Sequence, residues 1–482
     1  VILLYSIRYV KDETNDIQKA AKFLAILTAF LGVMNLLVSA DNSNWLFLFF
    51  ELTTLASFWL IGFRDDEISR QNAQNALWMN QIGGVALILA VLIAKSQLHT
   101  VYISELLTVS GAYIMLICAL IAVSAMIKGA QMPFSSWLLG AMVAPTPVSA
   151  ILHSSTMVKI APYLILKISP VISGTLVGMG VSLIGALSFL VCAVLALKED
   201  SFKKILAYST ISLLGLMILT ASLGTPLTLL ACLLLIIFHG VSKAMLFMCA
   251  GILEKRYHLK QISDIEGLIT KAPVLTSLIT LGFLSIALPP FGVFFAKWIT
   301  YEGSAAQGLF TVFLILFIAV GSVVLTLLYF KTVGRFVAND RAAKMNEDTS
   351  YLITPASLGV ILLVFALFVS PIIGMFFTPT AEFLSGKNIL MRSDFWGIVL
   401  PFGTLYFWHI AAAFLLLALS PIVASKLKLK NVDIAKPYSC GERIETNAYS
   451  FYFEPIGHLE DIAKLVSIGL FVAVIVAGAL NL

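Results

Sequence analysis

Five lysines, Lys128, Lys159, Lys167, Lys243 and Lys297, and one carboxylate, Glu51, fall inside hydrophobic stretches long enough to cross a bilayer. A charge at that depth costs at least ~2.5–3.5 kcal/mol even on permissive insertion scales, so its retention points to function. Groups of this kind take up, hold and release protons, because desolvation and a neighbouring opposite charge act on proton affinity in opposite directions. Glu51 lies in Trp45-Leu-Phe-Leu-Phe-Phe-Glu51 with nothing polar beside it, and Lys128 is its natural partner from another helix. Moving that carboxylate, or its proton, would switch the lysine between uptake and release. The plainer alternative is a static buried ion pair that fixes helix packing.

Spacing adds detail. Lys128 stands one turn before Met132-Pro133; the proline frees a carbonyl at the level of the lysine, and backbone freed at membrane depth needs water or protein partners. The next segment carries His153, Lys159 and Lys167. His153 and Lys159 do not share a simple helical face unless Pro145, Pro147 or Pro162 interrupts the helix. Histidine titrates near neutral pH and suits a relay; a packed core histidine is the alternative. His239 and Lys243 are four apart, hence on one helical face, which favours a relay over a structural contact. Lys297, after Pro289-Pro290, is the second-half counterpart of Lys128 and suits a terminal exchange point with the exterior. Lys203 and Lys204 sit at a helix mouth, where snorkelling competes evenly with a functional role. Lys167, close to a helix end, reads as snorkelling, and His409 is assigned no role.

These groups need a membrane-spanning scaffold. With 60% hydrophobic and 12% charged residues and a mean hydropathy of +0.98, the chain cannot be a water-soluble globule. Nearly every stretch between polar loops has the roughly 20 apolar residues a spanning helix needs. The runs are continuous rather than alternating, which selects helices over a barrel. Spans are expected at 19–39, 45–63, 76–94, 111–144, 146–169, 174–197, 202–221, 226–252, 273–304, 307–333, 351–377, 398–425 and 462–482. With residues 1–9, read as the tail of a further helix rather than a signal peptide, that makes about fourteen passes. The segments 111–144 and 273–304 are too long for one straight span and are interrupted at their prolines. Numbering the loops alternately places 23 of the 31 basic residues on one side and only Lys95, Lys387 and Arg392 on the other. The remaining five are the intramembrane lysines. The basic side is therefore cytoplasmic and the C-terminus exterior.

The expected fold is an all-α polytopic membrane protein with two inverted five-helix repeats. Residues 1–18 form the upstream remnant and loop, 19–169 the first repeat, 174–333 the second, and 351–482 C-terminal helices with a cytoplasmic loop at 426–461. An odd number of helices per unit turns the second copy upside down, and a broken helix in each exposes backbone near the midplane. Cys118, Cys192, Cys232, Cys249 and Cys440 are scattered, so no metal site or disulfide framework is indicated. No Gly-rich nucleotide loop, redox-cofactor motif or nucleic-acid signal is present, so no cofactor is expected and any redox chemistry belongs to partners.

Lys128-Gly-Ala-Gln-Met-Pro-Phe-Ser-Ser-Trp-Leu, followed by Ala144-Pro-Thr-Pro-Val-Ser-Ala-Ile-Leu-His153, resembles the central signature of the antiporter-like subunits of respiratory complex I, Mrp-type cation/proton antiporters and energy-converting membrane-bound hydrogenases. Phe49-Phe-Glu51-Leu, Lys203-Lys-Ile-Leu-Ala-Tyr-Ser-Thr, His239-Gly-Val-Ser-Lys243 and Leu288-Pro-Pro-Phe-Gly-Val-Phe-Phe-Ala-Lys297 match as well, over about residues 1–380. The resemblance implies a glutamate–lysine pair at Glu51 and Lys128, a connecting position at Lys159 or His153, then His239 and Lys243, and a terminal lysine at Lys297. It also implies other integral membrane subunits in the same complex, an Fe–S-containing peripheral arm reached indirectly, and a prokaryotic cytoplasmic membrane. Gln81 and Gly84 occupy places where some members carry an arginine and an aspartate, which removes that interaction. The stretch with Cys440-Gly441-Glu442 is similar to the tails of hydrogenase-linked members. The expected function is proton translocation within a redox-driven complex, with sodium as the less suited ion. The alternatives are a subunit of an Mrp-type Na⁺/H⁺ antiporter and a non-conducting scaffold.

Overall fold

The structure, a computed structural model, describes residues 1–109, 111–154, 156–305, 308–337, 348–401, 403–413, 416 and 456–480. The main helices are α1 (Ile2–Glu13), α2 (Ile17–Ser39), α3 (Ser43–Ile61), α4 (Glu67–Gln97), α5 (Ala112–Lys128), α6 (Thr146–Ser154), α7 (Ile160–Ile172), α8 (Leu176–Lys198) and α9 (Phe202–Leu223). They continue with α10 (Pro226–Arg256), α11 (Pro273–Ala287), α12 (Gly292–Ala305), α13 (Leu309–Val337), α14 (Thr349–Leu367) and α15 (Ile456–Ala479). Among the described residues, 11 helical segments are long and apolar enough to cross a membrane, and α5 is a shorter apolar helix. The architecture is therefore helical and membrane-spanning, with 11 such segments where about fourteen passes are expected.

Polar caps set where the helices begin. The Asp16 carboxylate accepts from the N–H groups of Gln18 and Lys19, Asp66 accepts from Ser69 N at 2.7 Å, and Thr225 and Thr228 cap each other ahead of Pro226. α9 and α10 lie at the centre: the apolar stretch of α9 is 94% buried, against 28% for α2 and α15. Where α8 crosses α9, the Gly185 and Gly215 backbones face each other, and a Cβ on Gly185 would lie 2.6 Å from Gly215 O. α15 lies against α5 and α8, with Phe471 edge-on to Phe134 at 5.4 Å between centroids.

The chain breaks after Lys128 and again at 288–291, between α11 and α12, as the prolines require; Met132-Pro133 and Pro289-Pro290 are both cis. A third break falls between Pro147 and Pro162, in the segment that these prolines could interrupt. The segment 146–169 stops at Ser154 and resumes through a 3-10 turn at Met157–Lys159. Pro162 falls in the first turn of the renewed helix, where its missing N–H costs nothing.

Two loops share one construction. Asp41 accepts from Ser104 N at 3.0 Å and from its hydroxyl at 2.6 Å, while Ile103 N donates to Asp41 O. Asp200 does the same for Ser263, at 3.2 and 2.6 Å, while Ile262 N donates to Asp200 O. One shift along the sequence carries Asp41 to Asp200, Ile103 to Ile262 and Ser104 to Ser263.

Two expected boundaries change. The span placed at 398–425 starts instead in a three-stranded antiparallel sheet, β1 (Arg392–Ser393), β2 (Gly397–Val399) and β3 (Thr404–Tyr406). Asp394 forms the turn by accepting from Trp396 N and Gly397 N, both at 2.9 Å, and the aromatic strands imitate a span in hydropathy. The last helix begins at Ile456, six residues before the expected 462. The Cys440-Gly441-Glu442 segment and most of 426–461 lie outside the described residues.

Candidate functional site

Lys128 closes α5 and is fully buried. Its ammonium donates to Phe50 O at 3.0 Å and to Thr54 Oγ1 at 2.6 Å, and it lies 4.1 Å from the centroid of the Phe50 ring. Both acceptors belong to α3, the helix of Glu51. The Thr54 hydroxyl itself donates to Phe50 O at 3.3 Å, so carbonyl and hydroxyl form one seat. Glu51 does not make an ion pair with Lys128; its Oε2 accepts from Gln81 Nε2 at 2.8 Å. Gln81 therefore supplies an interaction expected to be missing at this place. A Cβ added at Gly84 would run into Glu51 Oε1, so glycine is what lets the carboxylate lie against α4. Glu51 is half-buried and Gln81 exposed, so this end of the array lies at the side of the bundle.

The third break brings the middle groups together. Lys159, released from the helix ladder at the start of α7, reaches His239 of α10, with 2.8 Å from Nζ to Nδ1. When Lys159 is an ammonium, which only donates, Nδ1 accepts in this contact; when it is a neutral amine, the roles can reverse. Lys159 also lies 3.4 Å from the sulfur of Met217. His153 is fully buried in α6, its ring 4.8 Å from that of Phe247, and neither ring nitrogen has a protein partner. Lys243, one turn after His239, repeats the seat of Lys128: it donates to Leu206 O at 3.0 Å and to Ser209 Oγ at 2.5 Å, and Ser209 donates back to Leu206 O.

Lys297 lies in the second turn of α12 and is 4% exposed, with no protein hydrogen-bond partner for its ammonium. It borders a cleft of about 330 Å³ with Pro289, Trp298, Tyr301, Ser322 and Thr326. Lys128 precedes its break and Lys297 follows its own, so the two are not equivalent in sequence position.

On the basic side, Lys203 is not a free snorkelling lysine. It is 12% exposed and ion-paired with Glu254 at the end of α10. Glu254 also accepts from Thr146 Oγ1 at 3.2 Å and lies 3.8 Å from Arg64, which pairs with Glu13 at 2.8 Å; Lys255 pairs with Glu13 too. Burial alone would raise the Glu13 carboxyl, but hydrogen bonds from Lys255 and Arg64 bring it below its ordinary value. Sequence reasoning missed Glu254, Glu13 and Arg64, because each looks like a loop charge until the helix ends converge. It also missed a second carboxylate inside an apolar span: Glu302 is buried in α12 near Gly403, which follows β2.

Among the described residues no group of three His, Cys, Asp or Glu side chains could hold a metal ion. The array consists of seated or loosely held ionisable side chains, groups able to take up and release protons.

The sequence pattern of the family described as "NADH:quinone oxidoreductase/Mrp antiporter, TM" matches residues 40–326. A Na(+)/H(+) antiporter subunit of Alkalihalophilus pseudofirmus is 30% identical over 450 residues, covering 85% of this chain and 54% of the relative. A probable K(+)/H(+) antiporter subunit of Rhizobium meliloti is 35% identical over 298 residues, 60% of this chain and 29% of that one. The chain thus spans about half or less of these relatives. A chain of the Mrp complex from Dietzia sp. DQ12-45-1b superposes with a TM-score of 0.69 at 26% identity, covering 92% of this chain and 48% of the other. A chain of the membrane-bound sulfane sulfur reductase, an archaeal respiratory membrane complex, shares the fold with a TM-score of 0.71 at 19% identity.

Proposed function

Because the chain belongs to the NADH:quinone oxidoreductase/Mrp antiporter transmembrane family, we propose that it moves protons through the membrane as an antiporter-like subunit of a larger membrane complex. The carrying observation is the 2.8 Å contact between Lys159 and His239. It joins the start of α7, which packs on α5, the helix of Lys128, to α10, which carries Lys243. Residues 19–169 and 174–333 act as two inverted repeats. The matching Asp41–Ser104 and Asp200–Ser263 clasps support this assignment, since loop charge assigns them to opposite membrane faces. Glu51 and Lys128 operate the first half, Lys159, His153, His239 and Lys243 the connection, and Lys297 the exchange with the exterior. Protons suit such an array better than sodium, which requires several oxygen ligands at one point.

Other integral membrane subunits cover the half-buried Glu51, and the basic loops face the cytoplasm of a prokaryotic cell. Two kinds of assembly fit. One is redox-driven, with an Fe–S-containing arm elsewhere in the complex; the other is an Mrp-type cation/proton antiporter, which the names of the relatives favour. Replacing Lys128 by alanine tests translocation: assembly should survive on a native gel while proton transport into membrane vesicles is lost. Full transport in that variant refutes the assignment. Iron in the complex purified through this chain identifies the redox-driven assembly, and its absence, with only small hydrophobic partners, the Mrp type.

A further inference from the structure

The matched clasps set two cavities in corresponding places. Beside the Asp41 clasp, a pocket lined by Ser43, Val91, Thr100 and Val101 has room for little more than one water, about 30 Å³, and its other walls are mostly apolar. Beside the Asp200 clasp, the corresponding Phe202, Ala250, Leu259 and Lys260 line a cavity of about 690 Å³ that also contains Arg64, Lys203 and Glu254. The shift that superposes the clasps sets Glu254 opposite Lys95, so the carboxylate exists at one membrane face alone.

Glu254 is also the top of a seam. On α10, Glu254, Gly251, Phe247, Lys243 and His239 recur every three or four residues, and α6, which lies along α10, presents Thr146, Ser149 and His153 at the same spacing. The seam is tight: a Cβ on Gly251 would stand 3.1 Å from Thr146, and His153 lies on Phe247. Thr146 donates to Glu254 at its upper end. Below it, the Ser149 hydroxyl and both His153 nitrogens are buried without protein partners. The groups facing Glu254 are Lys203 from α9, Arg64 from the end of α3, Thr146 from α6, Tyr5 and Tyr9 from α1, and Lys260 across the cavity.

We propose that Glu254 is the uptake carboxylate of the proton path, loading from the basic-side cavity and delivering along Thr146, Ser149 and His153 to Lys243. The inference rests on the proton-translocating reading above. Only a proton moves. It leaves cavity water for a Glu254 oxygen and loosens the ion pair with Lys203. Through bridging water, each hydroxyl accepts one proton as it gives up its own, His153 takes the proton on its unprotonated ring nitrogen, and Lys243 accepts it as a neutral amine that has already released its own.

The test uses the whole complex in everted vesicles, whose basic side faces the medium, with a pH-sensitive dye reading initial rates over a range of external pH. E254Q should assemble, transport at least about tenfold more slowly and lose the dependence of rate on external pH, while E254D restores both, as expected for loss of a proton-transfer group. Wild-type rate and pH dependence in E254Q overturn the proposal. If E254Q fails to assemble, S149A decides, because it removes a hydroxyl that holds no protein partner: several-fold slowing supports the path and an unchanged rate overturns it. K128A runs beside them. Inactive K128A with fully active E254Q refutes the uptake role alone, whereas active K128A refutes the reading beneath it.

Discussion

Lys128 and Lys297 stand beside the two proline-bearing breaks, one ammonium seated and the other loose. Lys128 has a carbonyl at 3.0 Å, a hydroxyl at 2.6 Å and an aromatic face. Lys297 is equally hidden from the surface but has no protein hydrogen bond, and a cleft of about 330 Å³ opens beside it. A hydrogen bond to a charged group contributes roughly 1.5–3 kcal/mol, so the seat fixes where Lys128 can be while Lys297 is free to change partners. Burial alone does not assign a role to a membrane lysine. What matters is whether the neighbouring helix offers acceptors at its level, and α3 does so through Phe50 and Thr54.

The strongest way to break the comparison is to remove the lysines in turn. K128A and K297A should each reduce proton transport about tenfold or more, as expected for ionisable groups kept in the membrane at high cost; vesicle dye assays on assembled complex would show it. If only one variant loses transport, the halves do not work in series. T54V should have a smaller effect of a few-fold, since it takes away one hydrogen bond of roughly 1.5–3 kcal/mol and leaves Lys128 held by the Phe50 carbonyl and ring. This variant makes the first half resemble the second, and unchanged transport would show that the seat is incidental. Smaller again is G84A. The added methyl displaces Glu51 from α4, and infrared difference spectra of the carboxylate region should shift while Lys128 keeps its seat.

The last prediction lies outside the membrane and checks the basic-side ion pairs of Glu13 with Arg64 and Lys255. Glu13 is held below its ordinary value of 4.5, so its contribution to stability is complete above that pH and is lost as pH falls through the lower folded value. E13Q should therefore melt below wild type at neutral pH, with the difference closing only under pH 4.5. A constant difference across that range would remove Lys255 and Arg64 as its cause.

Much of this is legible in the residues. The prolines announce two of the breaks, because a missing N–H and a blocked carbonyl act locally. The intramembrane lysines are evident from hydropathy, and their helices follow from length and apolar content. Contacts between distant segments are not legible. Nothing near Glu254 predicts Lys203 or Thr146, which arrive from α9 and α6. Gln81 reads in sequence as a departure from a charged pattern, yet an amide also satisfies a carboxylate. The break before Lys159 carries no proline at its centre; Pro162, in the first turn of the renewed helix, allows an interruption here without fixing where it falls. The hairpin at 392–406 is hidden by aromatic residues that score like a span. One signal in the sequence gains its meaning only from the fold: Asp41 with Ile103-Ser104 and Asp200 with Ile262-Ser263 stand in a single register, which aligns the two halves where overall identity is faint.

The seats at Lys128 and Lys243 have one further consequence. Taken in chain order, the four lysines alternate: Lys128 anchored, Lys159 leaning on an imidazole, Lys243 anchored, Lys297 unattached. A row of equal stations would let a charge wander back as readily as forward. On the proposed proton path, stations seated on backbone oxygen would alternate with stations that are not, as the stops of a clock escapement alternate between holding and releasing.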